Sequence, residues 1–276
     1  MTQQASTMVT IREYQPKDLD QLIRIDRSIW WEGADRGDSA VGGHDAHRTG
    51  QNTSQPIWSD VVARLDVLHC LGKSTDALVA VTPAEDGNDG IVRNGERVLG
   101  AMLMSVGSRP VRWHDQCETM AQDVRREAIR HDGGAELLDA MERDGKAIDA
   151  LSARAATGYP AEVVLFMLAP QSRGLGLGRR LFDAGLDLMR GAGAGRYFLY
   201  TDTTCTYTFY EHRGLRRIGE QLGATDMLGA TLDRFIYAGA TGETGVTDGA
   251  DTANATASAN AVPPASSPAT ISGERA

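Results

Sequence analysis

The sequence predicts an α/β fold in three layers, with a mixed central sheet and helices on both of its faces. Three observations carry that expectation. The run "AEVVLFMLA" at 161–169 is continuously apolar and β-branched, the signature of a strand covered on both faces. Segments with apolar residues at helical spacing stand on either side of it. Strand-like and helix-like segments interleave along the chain instead of forming separate blocks, which favours layered packing.

Taken in order, "VTIREYQ" at 9–15 alternates like a strand. "PKDLDQLIRIDRSIWW" then places Leu19, Leu22, Ile23 and Ile29 at helical spacing, with Pro16 or Asp18 marking the entry. The polar, Gly-rich stretch at 33–55 reads as a loop. In "PIWSDVVARLDVLHCLGK" at 56–73, Ile57, Val61, Leu65 and Leu68 share one helical face and Gly72 is the stop. Two strands, "ALVAVTP" and "RVLGAMLMSVG", flank a turn-rich loop. Residues 108–158 read as a helical insert between the third and fourth strands, broken at "DGG" and at "DG". After the strand at 161–169 come a helix through Leu181, Phe182, Leu186 and Met189 that ends in "GAGAG", the strand "RYFLYTDT", a short helix in "TYTFYEHRG", and the strands "LRRIGEQ" and "LDRFIYAG". A folded domain over 9–239 is therefore expected, after a flexible start at 1–8. From 240 to 276 no aromatic residue occurs and Ala, Thr, Gly, Ser and Pro dominate, so a disordered low-complexity tail is expected.

Composition narrows the classes. The net charge of −9 disfavours nonspecific nucleic-acid binding, which needs clustered Lys and Arg. No apolar stretch is long enough to span a membrane and the N-terminus lacks the regions of a signal peptide, so a cytoplasmic protein is expected. Cys70, Cys117 and Cys205 are widely spaced without a CxxC, which predicts free thiols and no zinc site. His44, Asp45 and His47 in the polar loop are expected to face solvent, with no metal.

The most informative stretch is "MLAPQSRGLGLGRRLF" at 167–182, where a strand runs through Gly174, Gly176 and Gly178 directly into a helix. Glycines permit unusual dihedrals and close backbone approach, and the free N–H groups at a helix start favour an anion, so this is a recipe for holding phosphate. A P-loop would need a lysine after the glycines, and a dinucleotide fold would need a different spacing, earlier in the chain. R-x-x-G-x-G fits through Arg173, Gly176 and Gly178, and Q-x-x-G-x-G fits in an overlapping register through Gln171, Gly174 and Gly176.

The segment "VVLFMLAPQSRGLGLGRRLFDAGLDLM" resembles motif A of the GCN5-related N-acetyltransferases (GNAT), and "FYEHRGL" further on is similar to that superfamily's "FYEKLGF" helix. The resemblance covers mainly 161–239, and more weakly 9–31. It implies a mostly antiparallel sheet and an acetyl-CoA-dependent transfer of an acetyl group to a primary amine of a small molecule or peptide. Carried over, it implies that the backbone of Phe166, Met167 and Leu168 binds the pantetheine arm. The N–H groups of Gly174, Leu175, Gly176, Leu177, Gly178 and Arg179 would cradle the diphosphate, beside Arg173 and Arg180. Tyr210 would be the general acid for the leaving thiolate and Glu162 the base for the amine; alternation in the strand puts Glu162 on one face with Val164 and Phe166. Where the family often has a cofactor-binding asparagine, this chain has Thr203. Cys205 reads as a wall or core residue, and Trp30 and Trp31 as wall or core aromatics. The insert either caps the acceptor cleft or supports a homodimer. The alternative reading is a CoA-binding sensor without turnover; a nucleotide-dependent enzyme is disfavoured by the missing lysine.

Overall fold

The computed structural model describes residues 9–31, 58–83, 95–173 and 176–242. The expected loop at 33–55 with His44, Asp45 and His47, the segment 1–8, most of the 84–96 loop, Gly174, Leu175 and the chain after 242 lie outside the described residues.

Seven strands form one sheet in the order β1-β2-β3-β4-β5-β7-β6. They are β1 (Thr10–Glu13), β2 (Asp76–Pro83), β3 (Glu96–Val106), β4 (Ala161–Leu168), β5 (Arg196–Asp202), β6 (Arg216–Thr225) and β7 (Thr231–Ala240). All neighbours run antiparallel except β4 and β5. The helices are α1 (Leu19–Asp26), α2 (Trp58–Gly72), α3 (His114–Ala128), α4 (Gly134–Ala155), α5 (Leu177–Gly191) and α6 (Thr208–His212). Between β3 and β4 the insert is two helices, divided at "DGG", where Gly133 takes φ +86°. The second expected break, at Asp144–Gly145, is absent: α4 runs through it, because one interior glycine weakens a helix by only about 1 kcal/mol and packing elsewhere outweighs that.

Each face of the sheet has its own helix layer. One face presents Val79, Ala101, Leu103 and Met167 to α1, α2 and α3. Further along that face, α4 lays Leu151 on Ile236, with Phe198, Tyr200 and Ile218 around it. The opposite face presents Met102, Met104, Val163, Tyr197 and Tyr237 to Leu181, Phe182 and Met189 of α5 and to Tyr210 of α6. The three layers expected from the interleaved pattern are therefore present.

Two details position the site. β4 and β5 pair only at Glu162↔Phe198 and Val163↔Leu199, so the two strands diverge from Val164 onward. The β3–β4 register also slips between Leu103↔Leu165 and Met104↔Val163, which makes Val164 the extra residue of a β-bulge. Alternation inverts across that bulge. Phe166 and Leu168 pack under α5 beside Val163, whereas Val164, Leu165 and Met167 pack towards α1 and α2. Only Ala161, Val163 and Met167 of β4 are fully buried, so the strand is less covered than its apolar sequence suggests.

Candidate active site

The glycine-rich turn sits where β4 ends. A 3-10 turn at Pro170–Ser172 leads to Arg173, and Gly176 caps α5 with φ +70°, a left-handed conformation that favours glycine. A side chain at Gly176 would meet no neighbour within 4 Å, so space there is open. Gly178 is different: a Cβ there would come within 2.9 Å of Leu168 Cδ1. Its small size serves the close approach of α5 to β4 rather than space for an anion. Among the described residues the first hydrogen bond of α5 is Arg180 N to Gly176 O, 3.3 Å, and the N–H groups of Leu177, Gly178 and Arg179 have no helical acceptor there. Arg173 and Arg179 are exposed, and Arg180 turns aside to donate to Val9 O at 3.2 Å.

This helix start lies in line with the gap between β4 and β5. Beyond Val163 the edge of β4 that faces β5 has no ladder partner on β5, which leaves the edge backbone of Phe166, Met167 and Leu168 open to an extended ligand. An open strand edge leading to a helix N-terminus suits an arm that ends in a diphosphate. The residues present thus fit acetyl-CoA, with the pantetheine arm against β4 and the diphosphate at α5.

Tyr210 lies on the α5 side of the sheet. It is buried among Phe182, Phe209 and Tyr237, with ring centroids 6.1, 5.4 and 6.0 Å away. Burial holds its phenol well above the usual range, with the nearby Cys205 thiol adding to the effect, so it stays a proton donor at neutral pH. Arg213 fixes α6 by pairing with Asp183 on α5 and stacking 4.8 Å above the Phe182 ring. Glu162 lies on the other side. The bulge takes Glu162 and Val164 to the α2 side and Phe166 to the α5 side, which corrects the face expected from simple alternation. There Glu162 Oε1 meets Lys73 Nζ at 3.1 Å. Tyr210 and Glu162 therefore flank the sheet from opposite faces at the level where β4 and β5 part.

Thr203 sits just past β5, and its hydroxyl oxygen accepts from Asp233 N at 3.1 Å. That bond ties β5 to β7. Cys205 is half-buried, with Trp30 and Thr201 as side-chain neighbours, and its thiol is pushed up mainly by burial. Trp30 thus reaches the tip of β5, while Trp31 Nε1 donates to Asp26 Oδ1 at 2.8 Å and both indoles pack on the core.

Several residues near the site carried no local signal in the sequence. Asp26 is fully buried and Asp66 lies against it; burial and then the Asp66 charge push the Asp26 carboxyl far above the ordinary range. Lys73 follows α2, one turn after His69. Arg234 of β7 is 2% exposed and pairs with Asp144 of α4, which pins the insert to the sheet beside the end of β5.

The model of the acetyltransferase (GNAT) family matches residues 104–215, from the end of β3 to the residue after α6 and its turn. Among solved structures the chain is similar to the ribosomal-protein-S18-alanine N-acetyltransferase from Escherichia coli: 12% identity, TM-score 0.43, covering 87% of this chain and 98% of that one. It is also similar to a Drosophila melanogaster polyamine N-acetyltransferase, at 15% identity and TM-score 0.42, covering 84% and 100%. Ard1 from Thermoplasma volcanium is similar at 14% identity and TM-score 0.41, covering 84% and 97%. No curated protein matches the chain. Motif A and the open β4 edge both fall on the segment 104–215 that the acetyltransferase (GNAT) family model matches.

Proposed function

We propose that this chain transfers the acetyl group of acetyl-CoA to a primary amine of a small molecule or peptide, within a domain spanning 9–239. The observation that carries the reading is the gap between β4 and β5 running to the left-handed Gly176 at the start of α5. Acetyl-CoA supplies the activated acyl group as a thioester. The backbone of Phe166, Met167 and Leu168 binds the pantetheine arm, and the N–H groups of Gly174 through Arg179 hold the diphosphate, with Arg173 beside them. Thr203 flanks the arm from the end of β5. Tyr210 holds its phenolic proton for the leaving sulfur. Glu162 stands on the acceptor side, where the amine enters.

A second reading, a CoA-binding sensor without turnover, is favoured by the engagement of Glu162 by Lys73 and of the Thr203 hydroxyl by Asp233. Calorimetry with acetyl-CoA and ATP, followed by a thiol-release assay over a panel of amines, separates the possibilities. Acetyl transfer requires tight acetyl-CoA binding and amine-dependent thiol release. Binding without release for every amine supports the sensor, and preference for ATP removes both readings.

A further inference from the structure

The α2 side of β4 gathers titratable groups from three elements. Asp66, His69, Cys70 and Lys73 lie on successive turns at and after the end of α2, Asp149 comes from the inserted helix α4, and Glu162 from β4. Lys73 Nζ is 3.1 Å from Glu162 Oε1, so the carboxylate in the expected base position already holds an ammonium. The Lys73 ammonium is stabilised in turn: burial works against it, but the Glu162 and Asp149 carboxylates favour the charged form and its proton is held more firmly. A carboxylate bound in this way is a poor acceptor for a second proton.

The other members of the cluster are committed elsewhere. Asp66 lies against Asp26 and accepts from Cys70 Sγ at 3.8 Å. Burial keeps the Cys70 thiol protonated. His69 differs from all of these. Its side chain is exposed at the rim of α2, one turn before Lys73, and it feels the charges of Lys73, Asp66, Asp149 and Glu162. We infer that His69, exposed on the turn of α2 whose carbonyl accepts from Lys73 N at 3.2 Å, is the proton acceptor for the amine, in place of the Glu162 carboxylate that Lys73 engages.

This inference rests on the acetyl-transfer reading. In the transfer, the amine nitrogen forms a bond to the acetyl carbon as the carbon–sulfur bond breaks. The proton shed by the nitrogen passes to the unprotonated ring nitrogen of His69, directly or through water, and the sulfur takes its proton from Tyr210. Exposure lets His69 return its proton to solvent. Partial desolvation and then the Lys73 charge lower the affinity of the ring for a proton, while Asp66, Asp149 and Glu162 oppose them. The neutral imidazole is therefore the resting form near pH 7.

The test joins an activity profile with a titration that needs no substrate. In the proton NMR spectrum of the free protein, the His69 ring signal, assigned by its loss in His69→Gln, should titrate below the usual histidine range. Lys73→Met should move that titration up and Glu162→Gln should move it down. With an amine that the wild type acetylates, His69→Gln should lower kcat/KM by about 100-fold, the scale of lost general base catalysis, and erase the rising limb of the pH profile. Acetyl-CoA affinity should not change. A His69→Gln enzyme that keeps its rate and its limb overturns the inference while leaving acetyl transfer intact; so does a His69 titration that ignores Lys73→Met. Absence of acetyl-CoA binding by the wild type instead removes the acetyl-transfer reading and this role with it.

Discussion

Tyr210 and Glu162 approach the parting of β4 and β5 from opposite faces, and what surrounds each of them is unequal. Tyr210 is enclosed by aromatic rings, and that burial raises its pKa, so it keeps its proton near neutral pH, as the proposed donor must. Tyr210→Phe should therefore lower kcat by about 100-fold while leaving acetyl-CoA affinity unchanged, measured by thiol release and calorimetry. Asp26 yields a stability prediction. Its folded carboxyl binds a proton that the unfolded chain has already lost above the ordinary carboxylate range, so stability falls as pH rises from there towards the folded pKa of about 10. Asp26→Asn keeps an acceptor for Trp31 and removes that cost. Its melting temperature should exceed the wild type's at pH 8 and match it more closely at pH 5; an equal difference at both pH values would contradict the raised Asp26 carboxyl.

The turn between β4 and α5 is the proposed anion site. Gly176→Ala puts a Cβ into a left-handed conformation, at a cost of roughly 1–2 kcal/mol, and turns aside the N–H groups that follow. Acetyl-CoA affinity should fall and the urea midpoint drop slightly. Gly178→Ala instead presses on the flexible end of Leu168, and its main effect should be on packing. This turn, α5 and α6 were legible in the sequence because their signals are local: glycine spacing, helical periodicity and the "FYEHRGL" string. The bulge at Val164 was not. It arises from pairing with β3, and one extra residue reverses which side chains face which layer, so Phe166 and Glu162 part company. The pairing of Glu162 with Lys73 and the closeness of Asp26 to Asp66 were hidden for the same reason, since each joins residues from different elements. β7 likewise continues to Ala240, past the expected end of the domain, because Arg196 pairs with it and Thr241 bonds to Ala194 O at 2.7 Å.

At the scale of the molecule, the insert is part of one helix layer of the sheet. α4 covers β5, β7 and β6, and its Asp144 neutralises Arg234, whose side chain is almost wholly buried. Removing one partner leaves a buried charge, so Asp144→Ala should destabilise the protein by about 3–5 kcal/mol in urea unfolding, whereas Asp144→Leu with Arg234→Met should recover most of the loss. α4 lies against its own sheet and also brings Asp149 to the Lys73–Glu162 pair. Among the described residues no helix is long and apolar enough to cross a membrane. The central claim is that an acetyl group passes from acetyl-CoA through the gap in the sheet to an amine. Mass spectrometry of a broad amine panel incubated with the protein and acetyl-CoA tests it most directly. The account predicts one acetyl group gained by at least one amine, at a rate that collapses in Tyr210→Phe; no acetylated amine, or equal product from Tyr210→Phe, would contradict it.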